Sequence, residues 1–282
     1  MPRSLHQPPK RKNLRRLLVG DFTLKRLIRS LIFIYLFFAA YVFVAADGMI
    51  FLPSSSSYTD TPEIIKIASG QQSQISALYL AAENAPYTIL FSHGNAEDLG
   101  LIRSTLETLQ SLGLSVFAYD YQGYGTSSGK PSERAAYQDI RAAYTYLTET
   151  LAIPPEQIIV YGRSVGGGPS TYLAAREAIA ALILESTFTS AFRTVVPLPI
   201  LPFDKFPNDR NLKQFQGPVL IIHGTDDPII PFTHGEQLLA LASGPTQFLA
   251  VEGAGHNDVA WVAGDRYPLA IESFVQLVQE RL

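Results

Sequence analysis

The 282-residue chain has no cysteine, one tryptophan and two methionines. The lack of a thiol rules out disulfides, Cys-ligated metal sites and a cysteine nucleophile. It leaves the compartment open, because a cysteine-free chain tolerates either redox environment. Positive charge is also scarce over most of the length. Beyond residue 46 there are 13 Lys/Arg against 24 Asp/Glu, a net of −11. A body that acidic is a poor binder of nucleic acid, since phosphate contacts need clustered Lys/Arg. No internal repeat and no sign of a second folded domain are visible.

Residues 1–46 are the opposite, with nine Lys/Arg against the single acid Asp21, a net of +8. Within them, residues 30–46 (SLIFIYLFFAAYVFVAA) carry no charge, and four more apolar residues, 49–52, follow Asp47-Gly48. A membrane helix needs roughly 17–25 apolar residues, and a run that is apolar on every side does not look like an amphipathic core helix. The expectation is a basic, disordered tail over 1–29, a transmembrane anchor over 30–52 and a folded domain over 53–282. Basic residues precede the run, and the first one after it is Lys66. The positive-inside rule then keeps the N-terminus cytoplasmic and puts the acidic domain across the membrane. Val44-Ala45-Ala46 also resembles a small-residue cleavage site, so secretion after signal cleavage is the alternative. The stretch SSSSYTDTP, 54–62, reads as a linker into the domain.

In the body, short β-rich runs alternate with helical stretches. Strands are expected over 63–67, 75–80, 87–92, 115–121, 157–161, 181–184, 218–222 and 247–251. Helices are expected over 99–112, 133–151, 166–177, 233–241 and near 267–281. The middle strands (TILF, VFAY, IIVY, VLII) are continuous apolar runs, as in strands covered on both faces. The pattern predicts an α/β fold with a mostly parallel eight-stranded sheet and helices on both sides. The proline-rich stretch 192–208 reads either as a small cover over the sheet edge or as an ordinary connection.

In such sheets, functional residues collect at the carboxyl ends of the strands, and four strand ends here have unusual composition. Gly162-Arg163-Ser164-Val165-Gly166 lies between a strand and a helix, where a nucleophile elbow would hold Ser164 out of the chain. Ser92-His93-Gly94-Asn95-Ala96 could supply one oxyanion-binding N–H, from Asn95 or failing that Ala96, with Val165 supplying the other. His93 is expected to brace its loop. His223-Gly224-Thr225-Asp226-Asp227 offers a carboxylate to orient a histidine base. Asp227 at the loop tip is preferred, Asp226 is assigned to the turn, and Glu185 is the outside candidate. Gly253-Ala254-Gly255-His256 can carry His256 back toward Ser164. His223 sits in its glycine turn and His234 at a helix start. Arg163 and Arg193 could each meet an anionic substrate group or form a structural ion pair. The chain order Ser164, Asp227, His256 is that of α/β-hydrolases.

With these motifs in view, the chain from about residue 51 resembles the α/β-hydrolase superfamily. It is most similar there to the α/β-hydrolase-domain protein depalmitoylases and related single-pass membrane hydrolases. The resemblance lies in FLP (51–53), FSHGNAEDLG (91–100), YDYQGYGTSSGKPSE (119–133), YGRSVG (161–166), FDKFPN (203–208), LIIHGTDDPII (220–230) and VEGAGHND (251–258). It implies a triad of Ser164, Asp227 and His256. The chain departs from the depalmitoylases in lacking their cysteine-rich, acylated N-terminus. The reading is a membrane-anchored serine hydrolase of carboxylic esters or thioesters, needing no metal or organic cofactor. Its substrates would be small acyl esters or acyl-proteins. A peptidase or a non-catalytic ligand-binding homologue on the same scaffold are the alternatives.

Overall fold

The computed structural model describes residues 23–196 and 198–281; the expected tail therefore lies outside the described residues except for its last seven. The chain divides into two compact units between Ala46 and Asp47. Helix α1 runs over Leu24–Ile50, 27 residues, with a mean hydropathy of 2.2 in its most apolar window. At 1.5 Å per residue it is about 40 Å long, enough by length and composition to cross a bilayer. It starts six residues before the expected anchor, because Lys25, Arg26 and Arg29 favour helix as much as most apolar residues do. Nor does it end at Asp47-Gly48. The Asp47 carboxylate accepts the Glu133 N–H (3.2 Å) and pairs with Lys205 (3.1 Å), contacts inside the second unit that offset the ~1 kcal/mol cost of a helical glycine.

The second unit is built on one sheet, in the order β1-β2-β4-β3-β5-β6-β7-β8. The strands are β1 (Ile64–Ser69), β2 (Ser73–Leu80), β3 (Thr88–Ser92), β4 (Ser115–Tyr119), β5 (Ile158–Arg163), β6 (Ala181–Glu185), β7 (Val219–Gly224) and β8 (Thr246–Val251). Strand β2 is antiparallel to both neighbours, and every pairing from β4 through β8 is parallel. Alternate residues of the buried strands serve two separate cores: Leu90, Val160, Leu182 and Ile221 on one face, Ile89, Ile159, Ile183 and Leu220 on the other. Helices α3 (Glu133–Thr145, continuing as a π turn over Tyr146–Thr150) and α4 (Gly167–Ala174) cover the first face through Ile140, Ala143 and Leu173. Helices α2 (Arg103–Ser111) and α8 (Arg266–Gln279) cover the second through Leu106, Leu109, Ile271 and Phe274. Helices α5 (Asn208–Leu212), α6 (Thr233–Leu241) and α7 (Val259–Ala263) complete the described elements. Strand order reverses between β3 and β5, so the loops leaving these two strands diverge and open the crevice that such folds use.

The stretch from 51 onward departs from expectation. Phe51 falls within the expected anchor over 30–52, but it is buried in the domain core, edge-on to Tyr121, Tyr124 and Phe206. The expected linker is strapped down. Ser57 N–H bonds Asp98 (2.6 Å), Tyr58 OH bonds the buried Asp120, and Asp60 pairs with Lys66 (2.8 Å). Serine-rich composition suggests a flexible connection, but here Ser57 donates to a loop carboxylate and Ser56 Oγ to the Tyr58 carbonyl (2.7 Å). The stretch 192–208 closes on itself, with Asp204 accepting from Ser190 Oγ (2.6 Å) and Phe192 N–H (2.8 Å).

Candidate active site

The elbow after β5 is built by close packing. A Cβ on Gly166 would lie 2.1 Å from the Ser92 carbonyl oxygen, and one on Gly162 would lie 2.5 Å from the Gly166 oxygen, so a side chain at Gly166 would push the elbow off the end of β3 and one at Gly162 would force β5 and the elbow apart. Between them Ser164 adopts φ +53, a left-handed conformation that costs a non-glycine residue about 1 kcal/mol or more. Thr187 Oγ1 donates to the Ser164 carbonyl (2.6 Å) and helps hold it there. The amino end of α4 lies directly behind and contributes positive potential.

Three of the expected residues converge. His256 Nε2 lies 3.0 Å from Ser164 Oγ, and His256 Nδ1 lies 2.7 Å from Asp227 Oδ2. The other Asp227 oxygen accepts the N–H groups of Ile229 and Ile230, both at 2.8 Å. Burial alone would raise the Asp227 carboxyl; the bond to His256 and the two main-chain donors outweigh it and hold the group below the usual carboxylate range. An ionised Asp227 accepts a hydrogen bond from His256 Nδ1–H, which keeps the proton on Nδ1 and leaves Nε2 free to accept the hydroxyl proton. A hydroxyl, an imidazole and a carboxylate in series can deprotonate the hydroxyl as it attacks.

The neighbouring candidates have other tasks. Asp226 stays in its turn, bonded by Thr225 (3.2 Å). Glu185 does not reach His256; it accepts from Tyr161 OH and Tyr267 OH (2.7 Å) and pairs with Arg163 (3.4 Å). Arg163 also holds Glu97 (2.6 Å) and Asn257 (3.3 Å), so it is the structural ion pair rather than a partner for substrate. Burial works against its charge, but Glu185 and Glu97 more than compensate. Arg193 makes no ion pair among the described residues. His93 is fully buried, with Nδ1 at 2.8 Å from the Gly94 carbonyl and Nε2 at 3.3 Å from Asp120; burial disfavours its charge, and Asp120 still brings its pKa above the ordinary value. His223 donates to the Ile230 carbonyl (2.9 Å), and burial depresses its pKa. His234 faces Thr189.

Sequence reasoning missed Glu97 and Thr187. Glu97 accepts the Gly94 N–H (2.7 Å) while holding Arg163, and so ties the loop after β3 to the neighbour of Ser164. The spacing Gly94-x-x-Glu97, a carboxylate one turn beyond a glycine N–H, was the available signal. That loop lies against Ser164: a Cβ on Gly94 would be 3.6 Å from Ser164 Cβ.

Comparison with known proteins agrees with this architecture. Residues 87–211 match the model of the alpha/beta hydrolase fold family. Alpha/beta hydrolase domain-containing protein 17B of Xenopus tropicalis and that of Homo sapiens are each 43% identical over 232 residues, 81% of this chain and 79% of theirs. Protein 17C of Mus musculus is 38% identical over 227 residues, 79% of this chain and 69% of its own. Among solved structures, a Pyrococcus furiosus esterase superposes with a TM-score of 0.68 at 16% identity, over 79% of this chain and 98% of that one. Est1E from Butyrivibrio proteoclasticus, solved with ferulic acid bound, gives 0.60 at 19% identity, over 77% and 98%. With 43% identity across most of both partners, the chain belongs to the α/β-hydrolase superfamily.

Proposed function

We propose that the protein is a serine hydrolase that cleaves carboxylic esters or thioesters through an acyl-enzyme. The observation that carries this is the Ser164–His256–Asp227 chain of two hydrogen bonds, 3.0 and 2.7 Å. Ser164 Oγ attacks the acyl carbonyl while His256 Nε2 takes its proton, and Asp227 stabilises the imidazolium. The proton then passes to the departing alkoxide or thiolate. Water, deprotonated by His256, releases the acid and restores Ser164. Main-chain N–H groups of Asn95 and Val165 bind the oxyanion. The Ala96 N–H is already bonded to Asn95 Oδ1 (3.0 Å), which favours Asn95 over Ala96 for this role. A cofactor has no task in this cycle. The relatives' and neighbours' names, among them an esterase, favour ester-type substrates for this chain too.

Ser164→Ala is expected to lower kcat/KM for p-nitrophenyl acyl esters by about 10⁴-fold or more and to abolish fluorophosphonate labelling. Substantial Ser164-independent turnover would refute the assignment. A rate series across acyl lengths, esters beside thioesters, then separates lipid-type substrates from acetyl or butyryl esters.

Helix α1 is proposed as a membrane anchor with the hydrolase domain on the side opposite the basic N-terminus. Protease added to sealed cells should reach the domain without detergent; protection until lysis would reverse the orientation.

A further inference from the structure

The Asn95 side chain bonds the segment that leaves α1. Its Nδ2 donates to the Ile50 carbonyl (2.7 Å). Its Oδ1 accepts from Leu52 N–H (2.9 Å), Tyr124 OH (2.6 Å) and Ala96 N–H (3.0 Å). Leu52 N–H is shared with Tyr124 OH at 3.0 Å. The amide has one workable orientation, since turning it over would set NH₂ against two N–H donors and a carbonyl oxygen against another. Between the two bonded groups, Phe51 is fixed among Tyr121, Tyr124 and Phe206, and Tyr121 OH in turn bonds the His93 carbonyl (2.8 Å). Further along, Ser57 bonds Asp98. Asn95 and Asp98 are thus held by residues 50–57, and the loop between β3 and α2 contains a left-handed residue, Ala96 at φ +58, which needs such support to persist.

From this geometry we infer that the Asn95 carboxamide is a positioning group for catalysis. By clamping Ile50 and Leu52 it fixes the peptide whose N–H meets the oxyanion, which makes the exit of the apolar helix a working part of the oxyanion hole. The inference rests on the serine-hydrolase reading above. Oxyanion donors act by being in place before charge develops, at about 2.7–3.1 Å from the oxygen, and a displacement near 1 Å costs on the order of 10²-fold. A clamp that served only stability would leave turnover per folded molecule unchanged.

The test uses full-length Asn95→Ala and Tyr124→Phe, with three readouts on active-site-titrated protein: kcat and KM for a p-nitrophenyl ester, Ki for an alkyl trifluoromethyl ketone, and the melting temperature. The ketone adds to Ser164 to form an oxyanion, so its affinity reports the hole directly. Asn95→Ala should lower kcat by about 10–100-fold with KM within about threefold, and weaken the ketone by a matching factor. Tyr124→Phe, which removes one of three donors and keeps the ring, should lose about 3–10-fold on both measures. Parental kcat and ketone affinity in either folded variant, with only a lower melting temperature, overturns the inference. If Asn95→Ala does not fold, Tyr124→Phe decides alone. Should Ser164→Ala itself retain hydrolysis, the serine-hydrolase reading fails and the inference falls with it; Ser164-dependent hydrolysis with unaffected Asn95→Ala removes the inference only.

Discussion

Two buried carboxylates, Asp227 beyond β7 and Asp139 on α3, have similar numbers of donors and opposite tendencies. Asp139 accepts from Ser69 Oγ (2.5 Å), from Gln122 N–H (2.9 Å) and from Gln122 Nε2 (2.9 Å). Burial nevertheless raises it to about 6, with those bonds only partly opposing the rise. Asp227 also accepts three bonds, and it lies below the usual range. Two things differ: Asp139 is the more deeply buried, and Asp227 has as its third partner an imidazole that can carry charge where Asp139 has only neutral donors. Hydrogen bonds to a carboxylate favour its ionised form, but at Asp139 the neutral donors do not offset the penalty of burial, whereas at Asp227 a partner that can become cationic adds to them. That separates the carboxylate able to orient a base from the one that joins β1, the loop after β4 and α3.

The comparison breaks most visibly at Asp227. In Asp227→Asn the amide oxygen will take the Ile229 and Ile230 N–H groups, which turns its NH₂ toward His256 Nδ1 and imposes the wrong tautomer. The expected loss in kcat is about 10⁴-fold with little change in KM, measured by steady-state ester hydrolysis; a loss under tenfold would mean that the carboxylate does not orient the base. The smaller effect is at Asp139. Its folded-state pKa is raised, so the folded protein binds more protons than the unfolded chain between about pH 4 and 6. The stability this contributes is complete below the ordinary carboxylate range and is lost as pH rises toward 6. Asp139→Asn should remove that slope, worth at most ~3 kcal/mol, so the parent's stability relative to the variant should decline across pH 4 to 6. Denaturant midpoints at each pH measure it, and a difference that stays flat would show Asp139 ionised throughout.

Much of this could be read in the chain. All eight strands are found near their expected positions, because strands buried on both faces leave unbroken apolar runs such as VLII. Ser164, Asp227 and His256 were picked out by glycine-flanked strand ends, and the coordinates bring them within hydrogen-bonding distance. Less legible were the five-residue helices Asn208–Leu212 and Val259–Ala263, too short for a 3.6-residue period to show. Helix α1 begins six residues before the expected anchor, and no sequence boundary marks that start because Lys and Arg are good helix formers. The docking of residues 50–60 left no pattern at all. It depends on main-chain groups of Ile50 and Leu52 meeting a side chain more than 40 residues away, and main-chain groups are the same in every sequence.

The left-handed backbone at Ser164 has a consequence for which replacements the site could accept. Threonine is the nearest chemical substitute, an alcohol with one added methyl, yet branching at Cβ makes it one of the residues least able to adopt φ near +50°. Asparagine and glycine suit that backbone and carry no alcohol. Geometry and reactivity thus select different amino acids at position 164, and among the twenty, serine alone offers an alcohol in that conformation at modest cost.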